Sequence, residues 1–382
     1  MIYEYKPQIP TLIGAGAINC LGDEIKELNC QRVLCIYGKG TKAAGIAEKA
    51  ENSLRNAGVG FISFDGTYPD PDSKLIDNIV SVARNEEIDC IVGIGGGSNL
   101  DTAKAVSFML GLEGKTHEHL SVPPKYFDAC VPVVLVPTTA GSGSEASNAC
   151  VITHCETGEK FPCLVDSTLA IIDPELSVSL SASSTAVTGM DALSHAIEAY
   201  LSARCTPRTE MLAIEAIRLV TKWLPKACEN GADIDARMGM ATACNWAGLA
   251  TVDAAPHLGH RMAEGFVCEK SLPHGLPCAW STPAFVDFMA EYLPEKVRNI
   301  GEAMGVSFPQ NCSNGDIGSF AARRIRGLMK TIGIKSPAEM GADREKALEN
   351  MGIMAAPMLG CPVEITPDMV PVIMAKAYDN YA

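Results

Sequence analysis

The chain has 382 residues, a length that favours two domains over a single small module. With 47% hydrophobic and 20% charged residues its composition is that of an ordinary globular protein, which excludes disordered and fibrous classes. The formal net charge of −14 repels phosphate backbones and anionic lipid, so we expect neither nucleic acid nor a membrane as a partner.

No stretch approaches the roughly 20 consecutive apolar residues that span a bilayer. The first residues, MIYEYKPQIPTLIG, lack the basic head and apolar core of a secretory signal, so we expect a cytoplasmic protein. The cysteine count of 15 is odd and no CxxC pair occurs, which favours reduced thiols over a disulfide scaffold. Most lie in apolar stretches, as Cys35, Cys90, Cys163 and Cys244 do, and we interpret them as core residues.

Short β-branched runs alternate with longer helical runs in the first half of the chain. Strands are predicted at 32–38, 59–64, 88–94 and 131–138, and helices at 46–58, 73–86 and 98–110. Such alternation predicts a parallel sheet that is covered by helices on both faces. We therefore predict an α/β domain up to about residue 180.

Strand-like runs almost vanish beyond that point. Helices are predicted at 192–202, 209–227, 236–250 and 294–305. A second, helical domain is the expected result, and a small ligand would then bind in the cleft between the two domains.

A glycine-rich turn joins the predicted strand 88–94 to the helix that follows. Gly95, Gly96 and Gly97 let a backbone approach phosphate oxygens closely, and Ser98 is placed to cap the helix. The pattern predicts a phosphate cradle, although its G-x-G-G-G spacing departs from the usual dinucleotide fingerprint and it lacks the lysine of a P-loop. A glycine-rich turn that binds nothing is the alternative.

A second loop of small polar residues, 136–147, follows the next buried strand. Thr138, Thr139 and Ser142 carry hydroxyls that can hydrogen-bond phosphate or ribose. Parallel strands would bring this loop to the same sheet edge as the glycine-rich turn, so the two loops together favour a dinucleotide site.

The chain has only seven histidines, and four of them stand near carboxylates in the second half. Asp191 and His195 are four residues apart on a predicted helix, which places both on one face. His257, His260 and His274 follow, with Glu264 among them. Three histidines and one aspartate would suit Zn²⁺ or Fe²⁺, whereas an Asp–His hydrogen bond without metal is the alternative for the first pair.

Several motifs occur in an order typical of one family. They are GGGSNLDTAKAV, PTTAGSGSE, DPEL at 173–176, TGMDALSHAIEAY, and the paired-histidine segment that ends in PHGLP. Over nearly its whole length the chain resembles the iron-containing (group III) alcohol dehydrogenases.

This resemblance implies a dehydroquinate-synthase-like fold, with an NAD(P)-binding α/β domain at 1–180 that contains a parallel sheet and an all-α metal- and substrate-binding domain at 181–382. It implies a metal-dependent oxidoreductase that interconverts an alcohol and an aldehyde or ketone by hydride transfer with NAD or NADP. The implied partners are a small-molecule substrate and further copies of the chain, as a homodimer or larger homo-oligomer.

The resemblance also implies roles for particular residues. The metal ligands, for Fe²⁺ or Zn²⁺, would be Asp191, His195, His260 and His274, with His257 outside the ligand set. The cofactor-binding residues would be Gly95, Gly96, Gly97, Ser98, Asp101, Thr138, Thr139, Ser142 and Lys160.

Two positions depart from the family pattern. Glu264 stands where many members have a second histidine near the nicotinamide, so it is our candidate catalytic residue. Its negative charge would alter the metal preference or favour a substrate with a positive group, and a neutral replacement that faces elsewhere is the alternative. Gly38 and Lys39 stand where NAD-preferring members have an acidic residue after the first strand. Loss of an anion and gain of a cation favour NADP(H), unless Lys39 merely lies in an exposed turn.

Two other functions remain open on the sequence. One is an NAD- and Zn-dependent sugar-phosphate cyclase or lyase of the same fold, which would need several basic residues near the metal, where only Arg261 and Lys270 occur. The other is a nucleotide-binding oligomer subunit without turnover.

Overall fold

A computed structural model of the chain describes residues 3, 5, 8–269, 271–349, 358 and 360–379. Lys270 lies outside the described residues. The chain divides into two compact units. The first, here the α/β unit, comprises Lys6–Thr139 and Gly143–Ser179, and the second, here the helical unit, comprises Met1–Tyr5, Ala140–Ser142 and Leu180–Ala382.

The α/β unit is built on a six-stranded parallel sheet and a separate two-stranded hairpin. The strands are β1 (Thr11–Ile13), β2 (Arg32–Gly38), β3 (Gly60–Thr67), β4 (Cys90–Gly95), β5 (Val133–Pro137), β6 (Ala149–Thr153), β7 (Lys160–Leu164) and β8 (Leu169–Ile172). The order across the large sheet is β1-β8-β5-β4-β2-β3, and all five pairings are parallel. Strands β6 and β7 pair antiparallel.

Both faces of the large sheet are buried. Val33 and Cys35 of β2 belong to one apolar cluster, whereas Leu34 and Ile36 belong to another. Because successive side chains of a strand point to opposite faces, this strand has core on both sides. The six helices of the unit are α1 (Leu21–Glu27), α2 (Lys39–Ala43), α3 (Ile46–Ala57), α4 (Ser73–Asn85), α5 (Gly97–Leu110) and α6 (Thr116–His119). The predicted fold class for this half is confirmed.

The predicted cap of the helix after the glycine-rich turn is wrong. Helix α5 begins at Gly97, and Gly96 occupies the capping position without a side-chain hydrogen bond. Ser98 is therefore inside the first turn. The amide groups at this helix start have no side-chain acceptor of the kind that Asp72 supplies to α4, which leaves them available to an anion.

The helical unit contains the remaining nine helices of the described residues. They are α7 (Ala182–Leu201), α8 (Pro207–Glu229), α9 (Ile234–Asp253), α10 (Leu258–Glu264), α11 (Gly275–Met289), α12 (Pro294–Ala303), α13 (Asn314–Thr331), α14 (Arg344–Glu349) and α15 (Met369–Asp379). None of them combines the length and apolar character that crossing a bilayer requires.

Helix α7 is the central element of this unit. It packs against α8, α9 and α11, and most of its residues are buried. It begins ten residues before the predicted start at 192, because Ser181 accepts a hydrogen bond from the Ser184 N–H and because Thr185 and Ala186 are buried. Burial outweighs the weak helix propensity of this Ser- and Thr-rich start.

Candidate metal centre

Three imidazole rings surround one buried carboxylate in the helical unit. Asp191 Oδ1 lies 3.8 Å from His195 Nδ1, 3.7 Å from His260 Nε2 and 3.9 Å from His274 Nε2. His195 lies one turn after Asp191 on α7. His260 lies in α10, and His274 directly precedes the first residue of α11. The structure thus brings together all four residues that the resemblance implies as metal ligands.

Glycine at position 275 lets the start of α11 approach α7. A Cβ at Gly275 would overlap the carbonyl oxygen of Val187 and would lie 3.0 Å from the Cβ of Asp191. Any larger residue would push α11 away from α7. His274 is therefore followed directly by glycine, the one residue type that lets this part of α11 lie so close to α7.

Glu198, one turn after His195 on α7, holds the segment that carries His260. Its Oε2 accepts hydrogen bonds from the backbone N–H groups of His257 (2.7 Å) and Gly259 (3.0 Å), and its Oε1 lies 2.5 Å from His260 Nδ1. A Cβ at Gly259 would lie 2.6 Å from Glu198 Oε1, so glycine is required there too. Sequence reasoning missed Glu198; its spacing along α7 from Asp191 and His195 was the available signal.

The charge of Glu198 is set by its neighbours. Burial acts to raise its pKa, but the nearby His260 charge and hydrogen bond outweigh burial and lower the pKa of Glu198 to about 2. The carboxylate is thus ionised at neutral pH and accepts the Nδ1 proton of His260. The other ring nitrogen, Nε2, lies on the side of Asp191. Burial acts to lower the pKa of His260, but the charges of Cys278 and Glu198 outweigh it and raise that pKa, so Nε2 would release its proton when a cation binds.

His257 also contacts Glu198, but it is not among the proposed metal ligands. Its Nε2 lies 3.0 Å from the Glu198 carbonyl oxygen, and its ring packs edge-on against Phe285 at 5.4 Å between centroids. It is buried, and burial lowers its pKa, which favours a neutral, structural imidazole.

Cys278 is the second residue that sequence reasoning missed. It lies one turn after His274 on α11, it is fully buried, and its Sγ lies 3.6 Å from His274 Nε2. Donor atoms of Asp191, His260, His274 and Cys278 all lie within 4.8 Å of one another. The i, i+4 spacing from a predicted ligand, the same as that of Asp191 and His195, was the signal that would have found it.

Burial and the neighbouring charges shift the pKa values of the groups in this cluster. Burial acts to raise the pKa of Asp191, but the surrounding imidazoles outweigh it, and the pKa is well below its usual range. Burial lowers the pKa of His195 to about 4. The charge of Cys278 raises the pKa of His274 to about 9, so a cation would bind an anionic carboxylate and a neutral His195 directly but would displace a proton from His274.

Several atoms of this cluster lack partners. Asp191 Oδ1, His195 Nδ1 and His260 Nε2 are buried and have no hydrogen-bond partner among the residues that the structure describes. Buried polar atoms of native proteins are normally satisfied, so three orphans facing one point require an explanation. A divalent cation bound by oxygen and imidazole donors would satisfy them, and the residues therefore fit a metal site.

The two predicted cofactor loops meet within the α/β unit. The Thr138 N–H donates to the Gly95 carbonyl at 2.9 Å, and a Cβ at Gly96 would lie 3.4 Å from Thr139 Oγ1. Gly95 has φ +145°, and a Cβ there would overlap the Asn99 side chain, so glycine is obligatory at this position. Ser142 belongs to the helical unit instead.

Asp101 and Lys104 of α5 hold the loop that follows β5. Asp101 accepts hydrogen bonds from Ser144 Oγ (2.7 Å) and from the Val151 N–H (3.1 Å). The fully buried Lys104 donates from Nζ to the carbonyl oxygens of Ser144 (2.5 Å) and Ser147 (2.9 Å). Both side chains contact the protein's own loop, so a role of Asp101 toward the cofactor itself stays a prediction.

The remaining predicted cofactor residues lie at the rim of the sheet. Gly38 ends β2, and the exposed Lys39 begins α2. Lys160 begins β7, where its Nζ lies 2.6 Å from a carboxylate oxygen of Asp70, whose own N–H donates to Ser98 Oγ at 3.4 Å.

Glu264 is the last residue of α10, one turn after His260. Its carboxylate lies 2.8 Å from Arg261 Nη1 and is 48% exposed. The group of mutually close donors among the described residues does not include it.

Comparison with known proteins decides the family. The profile of iron-containing alcohol dehydrogenases matches residues 10–174, and that of the C-terminal part of the Fe-containing alcohol dehydrogenase family matches residues 185–378. The chain belongs to the iron-containing alcohol dehydrogenase family. The resemblance that the motifs suggested is confirmed.

Individual relatives agree with this family. The NAD-dependent methanol dehydrogenase of Bacillus methanolicus is 35% identical over 342 residues, which cover 88% of each chain. A crystal structure of 1,3-propanediol oxidoreductase has a TM-score of 0.93 at 30% identity, covering 99% of this chain and 100% of the other. Sulfoacetaldehyde reductase from Bifidobacterium kashiwanohense, solved in complex with NAD⁺, has a TM-score of 0.88 at 26% identity, covering 99% of both.

As an iron-containing alcohol dehydrogenase, the chain is an oxidoreductase that interconverts an alcohol and an aldehyde. Family membership thereby sets aside the sugar-phosphate cyclase or lyase and the subunit without turnover.

Proposed function

We propose that this alcohol dehydrogenase binds one divalent ion, Fe²⁺ or Zn²⁺, through Asp191, His195, His260 and His274, and uses it with a nicotinamide dinucleotide on a small alcohol or aldehyde. One observation carries the proposal: the buried Asp191 Oδ1 has no hydrogen-bond partner in the described part of the chain and faces three imidazole nitrogens within 3.9 Å. When bound, such an ion acts as a Lewis acid toward the substrate oxygen, while the nicotinamide exchanges the hydride.

The chain's own residues prepare this site. Glu198 keeps the proton of His260 on Nδ1, which leaves Nε2 free as a donor. The His274 side chain is 53% exposed, the most open of the imidazoles paired with Asp191, so the substrate approaches from its side. Glu264, one turn after His260, is our candidate for the group that passes a proton to or from the substrate oxygen; Glu264→Gln should then lower kcat.

The dinucleotide is proposed to bind at the adjoining loops that carry Gly95, Gly96, Gly97, Thr138 and Thr139. The two loops touch through the Thr138 N–H and the Gly95 carbonyl. The start of α5 offers free amide groups there, which favour a diphosphate. Ser98, Asp101, Ser142 and Lys160 are proposed to contact or support the same ligand.

We propose that NADP(H) is accepted as well as NAD(H). The end of β2 carries Gly38 and the exposed Lys39 in place of an acidic residue, and the nearby carboxylate of Asp65 in β3 is paired with Lys42. The named relative from Bacillus methanolicus is NAD-dependent, and a sulfoacetaldehyde reductase was solved with NAD⁺. We further propose a cytoplasmic homodimer or larger homo-oligomer, which light scattering of the purified protein would test.

The test of this function compares the wild type with His274→Ala. Both are stripped of metal, reloaded with Fe²⁺ or Zn²⁺ without oxygen, and assayed for bound metal and for NADH and NADPH oxidation with a panel of aldehydes. We expect about one ion per chain and turnover in the wild type, and loss of both in the variant at unchanged circular dichroism. Wild-type metal content and rate in His274→Ala would refute the proposed site.

A further inference from the structure

We propose that the thiolate of Cys278 is an additional ligand of the metal ion that Asp191, His195, His260 and His274 hold. The inference rests on the proposed function and deepens it, because a sulfur donor shifts the site toward thiophilic ions such as Zn²⁺ and away from Fe²⁺.

The position of the sulfur carries the proposal. Cys278 Sγ lies 3.6 Å from His274 Nε2, and both residues are on the face of α11 that Gly275 brings against α7. Two neighbouring donors on one ion, at about 2.0 Å for nitrogen and about 2.3 Å for sulfur, lie roughly 3.0–3.7 Å apart. The thiol and the imidazole form a hydrogen bond in the structure, and their separation is also compatible with two ligands of one ion.

The neighbouring donors supply independent support. Asp191 Oδ1 and His260 Nε2 are buried and have no hydrogen-bond partner within the described ranges, and donor atoms of both residues lie within 4.8 Å of the Cys278 sulfur and of each other. With His274 these residues offer four mutually close donors, one oxygen, two nitrogens and one sulfur, and His195 beside Asp191 offers a third nitrogen.

Other buried cysteines show the contrast. Cys35 lies in β2 and Cys163 in β7, and both belong to apolar clusters of the sheet. Cys278 is equally buried, but its sulfur faces imidazole and carboxylate groups. Its burial therefore brings a soft donor to a polar site.

Binding is a ligand exchange without electron transfer. The S–H bond of Cys278 breaks, a sulfur–metal bond forms, and the proton leaves to solvent, so the wild type should release one more proton per bound ion than a variant without this thiol.

The decisive experiment uses Co²⁺ as a spectroscopic probe on the full-length protein. Metal-free wild type, Cys278→Ser and Cys244→Ser are titrated with Co²⁺ without oxygen, and near-ultraviolet absorption is recorded. Cys244, a buried cysteine on α9 of the same unit, is the matched control. We expect a thiolate-to-cobalt charge-transfer band in the wild type and Cys244→Ser, and its loss in Cys278→Ser, which still binds one Co²⁺.

A Zn²⁺ competition titration measures the consequence. Cys278→Ser should weaken Zn²⁺ binding by about tenfold or more and Fe²⁺ binding by less. Equal weakening of both ions would contradict the shift in preference.

The outcomes separate the two proposals. Stoichiometric Co²⁺ binding that Asp191→Ala abolishes, without a charge-transfer band in the wild type, overturns the role of Cys278 alone. Absence of Co²⁺ binding, or binding that survives Asp191→Ala, overturns the four-residue site and this inference with it. The wild-type spectrum also decides the matter if Cys278→Ser does not fold.

Discussion

His260 Nδ1 lies 2.5 Å from Glu198 Oε1, so one buried carboxylate orients a ring whose other nitrogen points at Asp191. The same carboxylate accepts hydrogen bonds from the backbone N–H groups of His257 and Gly259. Glu198 therefore positions both the His260 ring and the start of the helix that carries it.

Glu198→Gln should weaken metal binding while the fold survives. The amide keeps the size and one acceptor oxygen but loses the negative charge that holds the Nδ1 proton, and loss of such a partner costs about 10- to 100-fold in metal affinity. Competition with a chromophoric chelator measures the affinity. Glu215→Gln, in an exposed pair with Arg218 on α8, is the control and should change nothing. An unaltered affinity in Glu198→Gln would show that the carboxylate does not position His260.

Gly275→Ala should damage the metal centre through packing alone. The added methyl group would overlap the Val187 carbonyl, so α11 must move and carry His274 and Cys278 with it. We expect a loss of about 1–3 kcal/mol in the free energy of unfolding, typical of overpacking, and reduced metal content.

The control for this change is Gly327→Ala on α13. A Cβ there meets nothing within 4 Å, so the variant should be more stable by about 0.5–1 kcal/mol, because alanine favours a helix over glycine. Urea unfolding gives the stability and elemental analysis the metal content. If Gly275→Ala kept full metal content, the close approach of α11 would be unnecessary for the site.

Lys104→Met should loosen the loop after β5. Removing a buried ammonium relieves its desolvation, but it leaves buried carbonyl oxygens, including those of Ser144 and Ser147, without their donor. We expect the second effect to win, with a net loss of about 2 kcal/mol in stability and a higher KM for the dinucleotide at nearly unchanged metal content.

Lys160→Met is the control for stability, since its pair with Asp70 is exposed and should contribute little. Urea unfolding and steady-state kinetics provide the two readouts. An unchanged KM for the dinucleotide in Lys104→Met would mean that the loop keeps its shape without the buried lysine.

Lys39→Glu should lower activity with NADPH much more than activity with NADH. A carboxylate in place of the exposed ammonium would repel a 2′-phosphate, so kcat/KM with NADPH should fall by about tenfold or more while that with NADH changes little. Lys49→Glu, exposed on α3, controls for the change in net charge. Equal effects on both cofactors would place Lys39 away from the 2′ position.

The alternation of β-branched and helical runs was sufficient to predict the parallel sheet and its main helices. Strands β2 to β5 and helices α3 to α5 occur close to their predicted positions, because long, buried elements have strong sequence periodicity. The β6–β7 hairpin was missed, and so were β1 and β8. Hairpin strands with one partly exposed face and a strand of three residues show no such periodicity.

The candidate metal centre, too, was predicted only in part from the sequence. Sequence alone determined which residue types stand one helical turn apart, such as Asp191 and His195, because that spacing is local. Only the tertiary structure decided that Glu198 orients His260 and that Cys278 joins the cluster. These relationships depend on how closely α10 and α11 approach α7, and that approach is set by packing at Gly259 and Gly275 rather than by any pattern within one helix.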